Sequence, residues 1–185
     1  MKQNNYFPKT VIGIIALSVI LLFGPAVVSA DSAHDYVGSK KCSLCHKKPE
    51  QGDQYGIWQG TNHAKAFEAL GTPEAKAAGA KVGVTDPQTS GKCLKCHSTA
   101  YGFSETKVTE AIPVEEGVSC ESCHGAGKDY MKKSVMEDKS AAIGEGLIIP
   151  KEDTCKKCHN PESPSYKEFK FAEFWEKIKH PVPKK

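Results

Sequence analysis

The sequence predicts a mainly α fold with extensive irregular loops, and three observations carry that prediction. Apolar residues recur at helical spacing in two segments, most clearly at Phe171, Phe174, Trp175 and Ile178 (i, i+3, i+4, i+7). Glycine and proline interrupt the chain often enough that the helices between them must be short. All eight cysteines fall in C-x-x-C-H pentapeptides, each of which needs a tight local turn.

The elements follow in chain order. Lys2 and Lys9 form a basic start, residues 11–23 are apolar, and Val28-Ser29-Ala30 ends in a small-x-small pattern. This predicts a Sec-type signal peptide over residues 1–30, cleaved after Ala30, because the apolar run is shorter than the roughly 20 residues a membrane span needs. Left uncleaved, with the apolar stretch extended by residues 25–28, it would be a membrane anchor. Residues 31–185 then form one domain. Ser39 is placed to cap a turn leading into the first pentapeptide. Residues 61–70 read as a helix with His63, Phe67 and Leu70 on one face, stopped by Gly71. Thr72-Pro73-Glu74 reads as N-cap, N1 proline and first-turn acid of a helix that stops near Gly79. Residues 85–91, 101–118 and 144–150 read as turns and irregular chain. The final helix ends before Pro181, which pushes His180 out of helical geometry.

The pentapeptides are Cys42-Ser43-Leu44-Cys45-His46, Cys93-Leu94-Lys95-Cys96-His97, Cys120-Glu121-Ser122-Cys123-His124 and Cys155-Lys156-Lys157-Cys158-His159. Two thiols this close can add to the two vinyl groups of one porphyrin, and the adjacent histidine can reach its iron, so the motif signals covalent c-type haem. Zinc also takes paired C-x-x-C units, but needs no histidine directly after each pair. Four disulfides would suit an exported chain, but a two-residue gap is a poor structural loop. The expectation is therefore four covalently attached haem c groups, with iron bound by His46, His97, His124 and His159. Bacterial haem attachment takes place outside the cytoplasmic membrane, as the export signal requires, so the domain is expected in the periplasm.

Four haems in the expected mature domain mean about one per 39 residues, which leaves little room for a side-chain core. The porphyrins become the core, with low strand content and no stable fold without them. Only 22 residues separate His97 from Cys120, and 30 separate His124 from Cys155, so neighbouring irons should lie close together. Gly125-Ala126-Gly127, directly after the third motif, reads as a plain turn or as a close approach to a porphyrin.

Four irons have eight axial positions, whereas the chain has seven histidines. Beyond the four in the motifs, the candidates are His34, His63 and His180, so at least one haem lacks a second histidine. All 25 basic residues are lysine, and several flank the motifs: Lys40, Lys41, Lys47 and Lys48; Lys92 and Lys95; Lys156 and Lys157. They read as neutralising propionates, or as a basic rim that steers an acidic redox partner. A near-neutral exported chain is no nucleic-acid binder, and membrane association is expected only if the signal stays uncleaved.

These residues resemble the tetrahaem cytochrome c-554 family, known from hydroxylamine oxidation in nitrifying bacteria. The resemblance rests on Val37-Gly38-Ser39-Lys40-Lys41, on His63-Ala64-Lys65-Ala66, on Gly117-Val118-Ser119-Cys120-Glu121-Ser122-Cys123-His124-Gly125, and on Phe169-Lys170-Phe171 leading to His180. It implies a mostly helical fold with haems in stacked pairs, three bis-histidine haems and one five-coordinate haem. The open haem maps to His97, and His63 and His180 map to distal ligands. One departure stands out. Where the family has another distal histidine, this chain reads Lys128-Asp129-Tyr130-Met131-Lys132-Lys133. His34, Met131 or Met136 would have to serve the first haem, or two haems are open.

The reading preferred from these residues is a periplasmic electron carrier passing electrons between periplasmic or membrane-bound redox proteins. The alternative is an enzyme reducing nitric oxide or a related nitrogen oxide at the open haem. No C-x-x-C-K motif and no arginine to clamp an anion support that alternative.

Overall fold

Among the residues it describes, 35–101 and 112–182, the computed structural model has ten short helices, none longer than eight residues, and no strand. The helices are α1 (Ser39–His46), α2 (Gln54–Gln59), α3 (Ala66–Ala69), α4 (Pro73–Ala80), α5 (Gly91–His97), α6 (Cys120–His124), α7 (Lys133–Met136), α8 (Lys139–Gly144), α9 (Glu152–Lys156) and α10 (Phe171–Ile178), with 3-10 turns at Pro49–Gln51 and Val114–Glu116. The described residues all lie within one unit, Ser32–Lys185. No helix among them is long and apolar enough to cross a membrane. The expected signal segment and His34 lie outside the described residues, as does most of the 101–118 linker.

Several elements form for the local reasons their sequence gives. Thr72 caps α4, its Oγ1 accepting from Ala75 N–H at 3.2 Å, with Pro73 at the first helical position. Asp53 caps α2 by accepting from Gly56 N–H. Asp138 caps α8 by accepting from Ser140 and Ala141 N–H. α10 runs from Phe171 to Ile178, and the chain turns extended at Lys179, ahead of Pro181.

Two expectations are corrected. Ser39 is not a cap: Gly38 holds that position without a side-chain bond, and the N–H groups there are met by Glu116 and Glu121 from far along the chain. The helix expected over residues 61–70 is confined to Ala66–Ala69. Its first turn is drawn out of helical geometry because the His63 carbonyl accepts from Val118 N–H at 2.9 Å as well as from Ala66 N–H at 3.1 Å. Gly71 directly follows Leu70, the cap of α3, without the positive φ of a glycine stop, and the Gln88 side chain lies 3.2 Å from where its Cβ would stand.

The polypeptide core is small. Leu94 and Ile112 are its largest fully buried apolar side chains, with Leu70, Val84, Tyr130 and several alanines beside them. The apolar stripe of α10 is not part of it: Phe171, Trp175 and Ile178 are half-buried and Phe174 is exposed. So much apolar side chain lying outside the core is what a chain built around a large apolar cofactor presents.

Candidate haem-binding site

The segment from Glu116 to Gly127 ties the other motifs together. At its start, Gly117 (φ 70°) passes so close to the His63 turn that a Cβ would stand 2.7 Å from the His63 carbonyl oxygen. Val118 N–H donates to that same carbonyl, and Trp58 Nε1–H donates to the Val118 carbonyl at 2.8 Å. Thr99, two residues past the second motif, donates its backbone N–H to the Gly117 carbonyl at 2.8 Å, while its hydroxyl accepts from Ser119 N–H at 2.8 Å. At the far end, Gly125 (φ 80°) passes the Gly146 carbonyl, 2.7 Å from where a Cβ would stand. That glycine is thus required by a backbone approach as well as by the turn.

The thiols pair between motifs. Cys42 and Cys120 face each other closely enough to share a proton, which holds the Cys42 thiol down and the Cys120 thiol up. Cys96 and Cys158 do the same, with Cys96 lowered and Cys158 raised. Burial, with the nearby Cys155, pushes Cys123 up to about 11, and burial raises Cys93 and Cys155 as well. The first motif therefore lies against the third, and the second against the fourth. None of the eight cysteines is paired in a disulfide. Among the described residues no three His, Cys, Asp or Glu side chains converge on one point, as a zinc site requires.

The histidines are set for iron. His97 Nδ1 lies 2.8 Å from the Ala66 carbonyl and His124 Nδ1 lies 3.0 Å from the Ile148 carbonyl. A carbonyl only accepts, so in each ring Nδ1 carries the proton and Nε2 keeps its lone pair for a metal. His46 Nδ1 meets Gln54 Oε1 at 3.3 Å. The Gln54 amide is oriented by donating Nε2–H to the Gln51 carbonyl at 2.6 Å and the Pro181 carbonyl at 2.8 Å, which leaves its oxygen facing His46. Such bonds fix ring orientation and raise ligand basicity. Burial first, and neighbouring imidazoles second, lower the pKa of His63 and His159. His124 is lowered by burial, against the Ile148 carbonyl that raises it.

Two further histidines come to face motif histidines. The ring centroids of His63 and His159 are 6.0 Å apart, and those of His124 and His180 are 5.8 Å apart. An iron held between two imidazole nitrogens, at about 2 Å from each, needs ring centroids about 6 Å apart. Both separations are compatible with two imidazoles on one iron. Phe169 stacks on His159 at 4.8 Å and Phe174 on Phe169 at 5.4 Å, which brings the apolar face of α10 to that site. Beside the second motif, an open depression of about 400 Å³ is lined by Lys95, Cys96, Lys157 and Glu162. Among the described residues no imidazole ring stacks on or faces His46 or His97. Met131 is exposed and Met136 half-buried.

Sequence reading missed Gln54, Glu116 and Glu121. Gln54 is 7% exposed and Glu121 is 1% exposed. Both are polar residues in short helices, and nothing in one sequence marks them as buried. Glu121 sits inside a pentapeptide, at one of the two positions that the motif leaves free.

Comparison with known proteins agrees with this geometry. Residues 41–125, which hold the first three motifs, match the family described as cytochrome c554 and c-prime. Cytochrome c-554 of Nitrosomonas europaea is 34% identical over 154 residues, covering 78% of this chain and 60% of that protein. The chain thus spans less than two thirds of the length of that relative. No solved structure matches the chain. With the motifs, the thiol pairs and the imidazole pairs in place, the chain belongs to the cytochrome c-554 family of multihaem c-type cytochromes, whose haem c is covalently bound.

Proposed function

We propose that the protein is a periplasmic tetrahaem electron carrier, with Cys42, Cys45, Cys93, Cys96, Cys120, Cys123, Cys155 and Cys158 as the attachment points and His46, His97, His124 and His159 as proximal ligands. The observation that carries this reading is the meeting of His63 with His159 and of His180 with His124 across the space of one iron. When bound, the haems supply one-electron couples close enough to relay electrons. The polypeptide holds them in register through the hydrogen bonds that tie residues 116–127 to the His63 turn, to Trp58 and to Thr99. It protonates Nδ1 of His97 and His124 and shields the fourth site with Phe169 and Phe174. Its axial ligands and hydrogen bonds tune each potential.

The proposed partners are other redox proteins of acidic surface. On α1, Leu44 is 68% exposed, and Lys40, Lys41, Lys47 and Lys48 flank it in sequence. An apolar centre inside a basic rim suits transient docking near a haem edge.

His97 favours a second reading. Its Nδ1 is held like that of His124, yet no imidazole faces it among the described residues. An open iron there would bind nitric oxide, as the reductase alternative requires. Haem stoichiometry by pyridine haemochrome and intact mass, followed by low-temperature EPR of the oxidised protein with and without nitric oxide, tests both. Four haems per chain with all signals low-spin and unresponsive leave the carrier alone. A high-spin signal abolished by nitric oxide keeps the reductase in play, and fewer than four haems overturns the tetrahaem reading.

A further inference from the structure

Glu121 is the most deeply buried ionisable side chain outside the haem-binding residues, at 1% exposed. Its Oε1 accepts from Val37 N–H at 3.0 Å and from Gly127 N–H at 2.6 Å, and its Oε2 accepts from Gly38 N–H at 2.8 Å. Glu116, five residues earlier in the preceding 3-10 turn, accepts from Ser39 N–H at 3.0 Å. Gly38 and Ser39 are the cap and first residue of α1, the helix that carries Cys42, Cys45 and His46. A glycine cap offers no side-chain acceptor, so these orphan N–H groups would otherwise be buried unpaired. Two carboxylates, 77 and 83 residues away in sequence, take that role.

Every polar group that bonds to Glu121 is an N–H donor. A protonated carboxyl would have to place its own O–H against one of them, so the geometry calls for the anion. Among the described residues no lysine or histidine forms an ion pair with it. Tyr130, which lies nearby, donates its hydroxyl to the Gly125 carbonyl at 2.8 Å instead. Burial pushes the Glu121 carboxyl up while the Gly127, Gly38 and Val37 N–H groups pull it down, so the negative charge is held by backbone donors at a buried junction, flanked by Cys120 on its own helix and by Cys42 on the helix it caps.

We propose that Glu121, supported by Glu116, is a positioning and potential-setting residue: it locks the first motif onto the third and holds a fixed negative charge that lowers the reduction potentials of the haems at those two motifs. The inference rests on the haem attachment proposed above. A nearby anion favours the more positive oxidised iron, and burial strengthens the effect. Neither glutamate touches a predicted haem ligand in the structure, so their effect acts through charge and through the placing of α1.

The test uses the full holoprotein and three variants, Glu121→Gln, Glu121→Asp and Glu116→Gln. Haem content is measured first. Wild type with fewer than four haems defeats the underlying attachment scheme, and that result is separate from any shift in potential. Spectroelectrochemical titration at fixed pH then gives the four macroscopic potentials. In fully loaded Glu121→Gln, two of the four should rise by at least a tenfold change in the reduction equilibrium, about 59 mV for one electron. Glu121→Asp, which keeps the charge, should stay within threefold of wild type. Unchanged potentials in Glu121→Gln, an equal rise in all four, or a rise in Glu121→Asp as large as in Glu121→Gln each overturn the proposal. If Glu121→Gln does not load haem, Glu116→Gln decides: an upward shift of two potentials supports the fixed charge, and none overturns it.

Discussion

Replacing Gly117 with alanine puts the central junction of the fold under a single, calculable load. Gly117 adopts φ 70° and ψ −148°, a region that L-residues with a Cβ rarely enter. Its hypothetical Cβ would stand 2.7 Å from the His63 carbonyl oxygen and 2.9 Å from the Ala64 carbonyl oxygen. Both are backbone atoms, so no rotamer change relieves the contact. Forcing a non-glycine residue into such a conformation costs on the order of 1–3 kcal/mol. Backing away from the clash stretches the Val118 N–H bond to the His63 carbonyl, a loss of about 1 kcal/mol. The expected destabilisation is therefore about 2–4 kcal/mol, read from denaturant unfolding of the loaded protein as a lower midpoint at unchanged slope. The same displacement carries His63 away from His159, so a high-spin haem signal should appear in EPR where wild type has a low-spin one. A Gly117→Ala protein within about 0.5 kcal/mol of wild type and spectrally identical would refute the claim that this glycine sets the distance between the third motif and the His63 turn.

Four other outcomes are expected. His180→Ala and His63→Ala should each leave haem content unchanged, because the thioether bonds remain, and each should convert one low-spin haem to high-spin by EPR. Gln54→Ala removes the acceptor facing His46 Nδ1 and leaves the Gln51 and Pro181 carbonyls without their donor. It should lower stability by about 1–3 kcal/mol in denaturant unfolding and should shift one haem potential in a spectroelectrochemical titration. Trp58→Phe removes the Nε1–H bond to the Val118 carbonyl together with part of the ring that packs on Tyr55, and unfolding should report a loss of about 1–2 kcal/mol. Electron transfer from an acidic donor protein, followed by stopped flow, should slow as salt rises, and Lys40→Gln combined with Lys48→Gln should flatten that dependence. A salt-independent rate would remove the basic rim as a docking feature.

The attachment chemistry was legible in the sequence because it is local. A C-x-x-C-H pentapeptide carries two thiols and an imidazole on consecutive turns whatever surrounds it, so composition and spacing alone point to haem c. The same holds for the Thr72 cap of α4 and the apolar stripe of α10, which depend on residues within one or two turns. His63 and His180 stood out in the sequence as histidines outside the motifs, and the structure brings each of them to a motif histidine. Tertiary structure decided whatever depends on residues far apart in the chain. It matched His63 to His159 and His180 to His124, pairs 96 and 56 positions apart in number. It drew the His63 turn out of the helix its periodicity suggested, because Val118 N–H competes for the same carbonyl. It replaced Ser39 as the cap of α1 with the carboxylates of Glu121, in the third motif, and Glu116, just before it. A hydrogen bond between distant segments leaves no periodic trace in a single sequence. The motif residues are therefore written locally, and which distant residue each one meets is set by the long-range contacts that converge on residues 116–127.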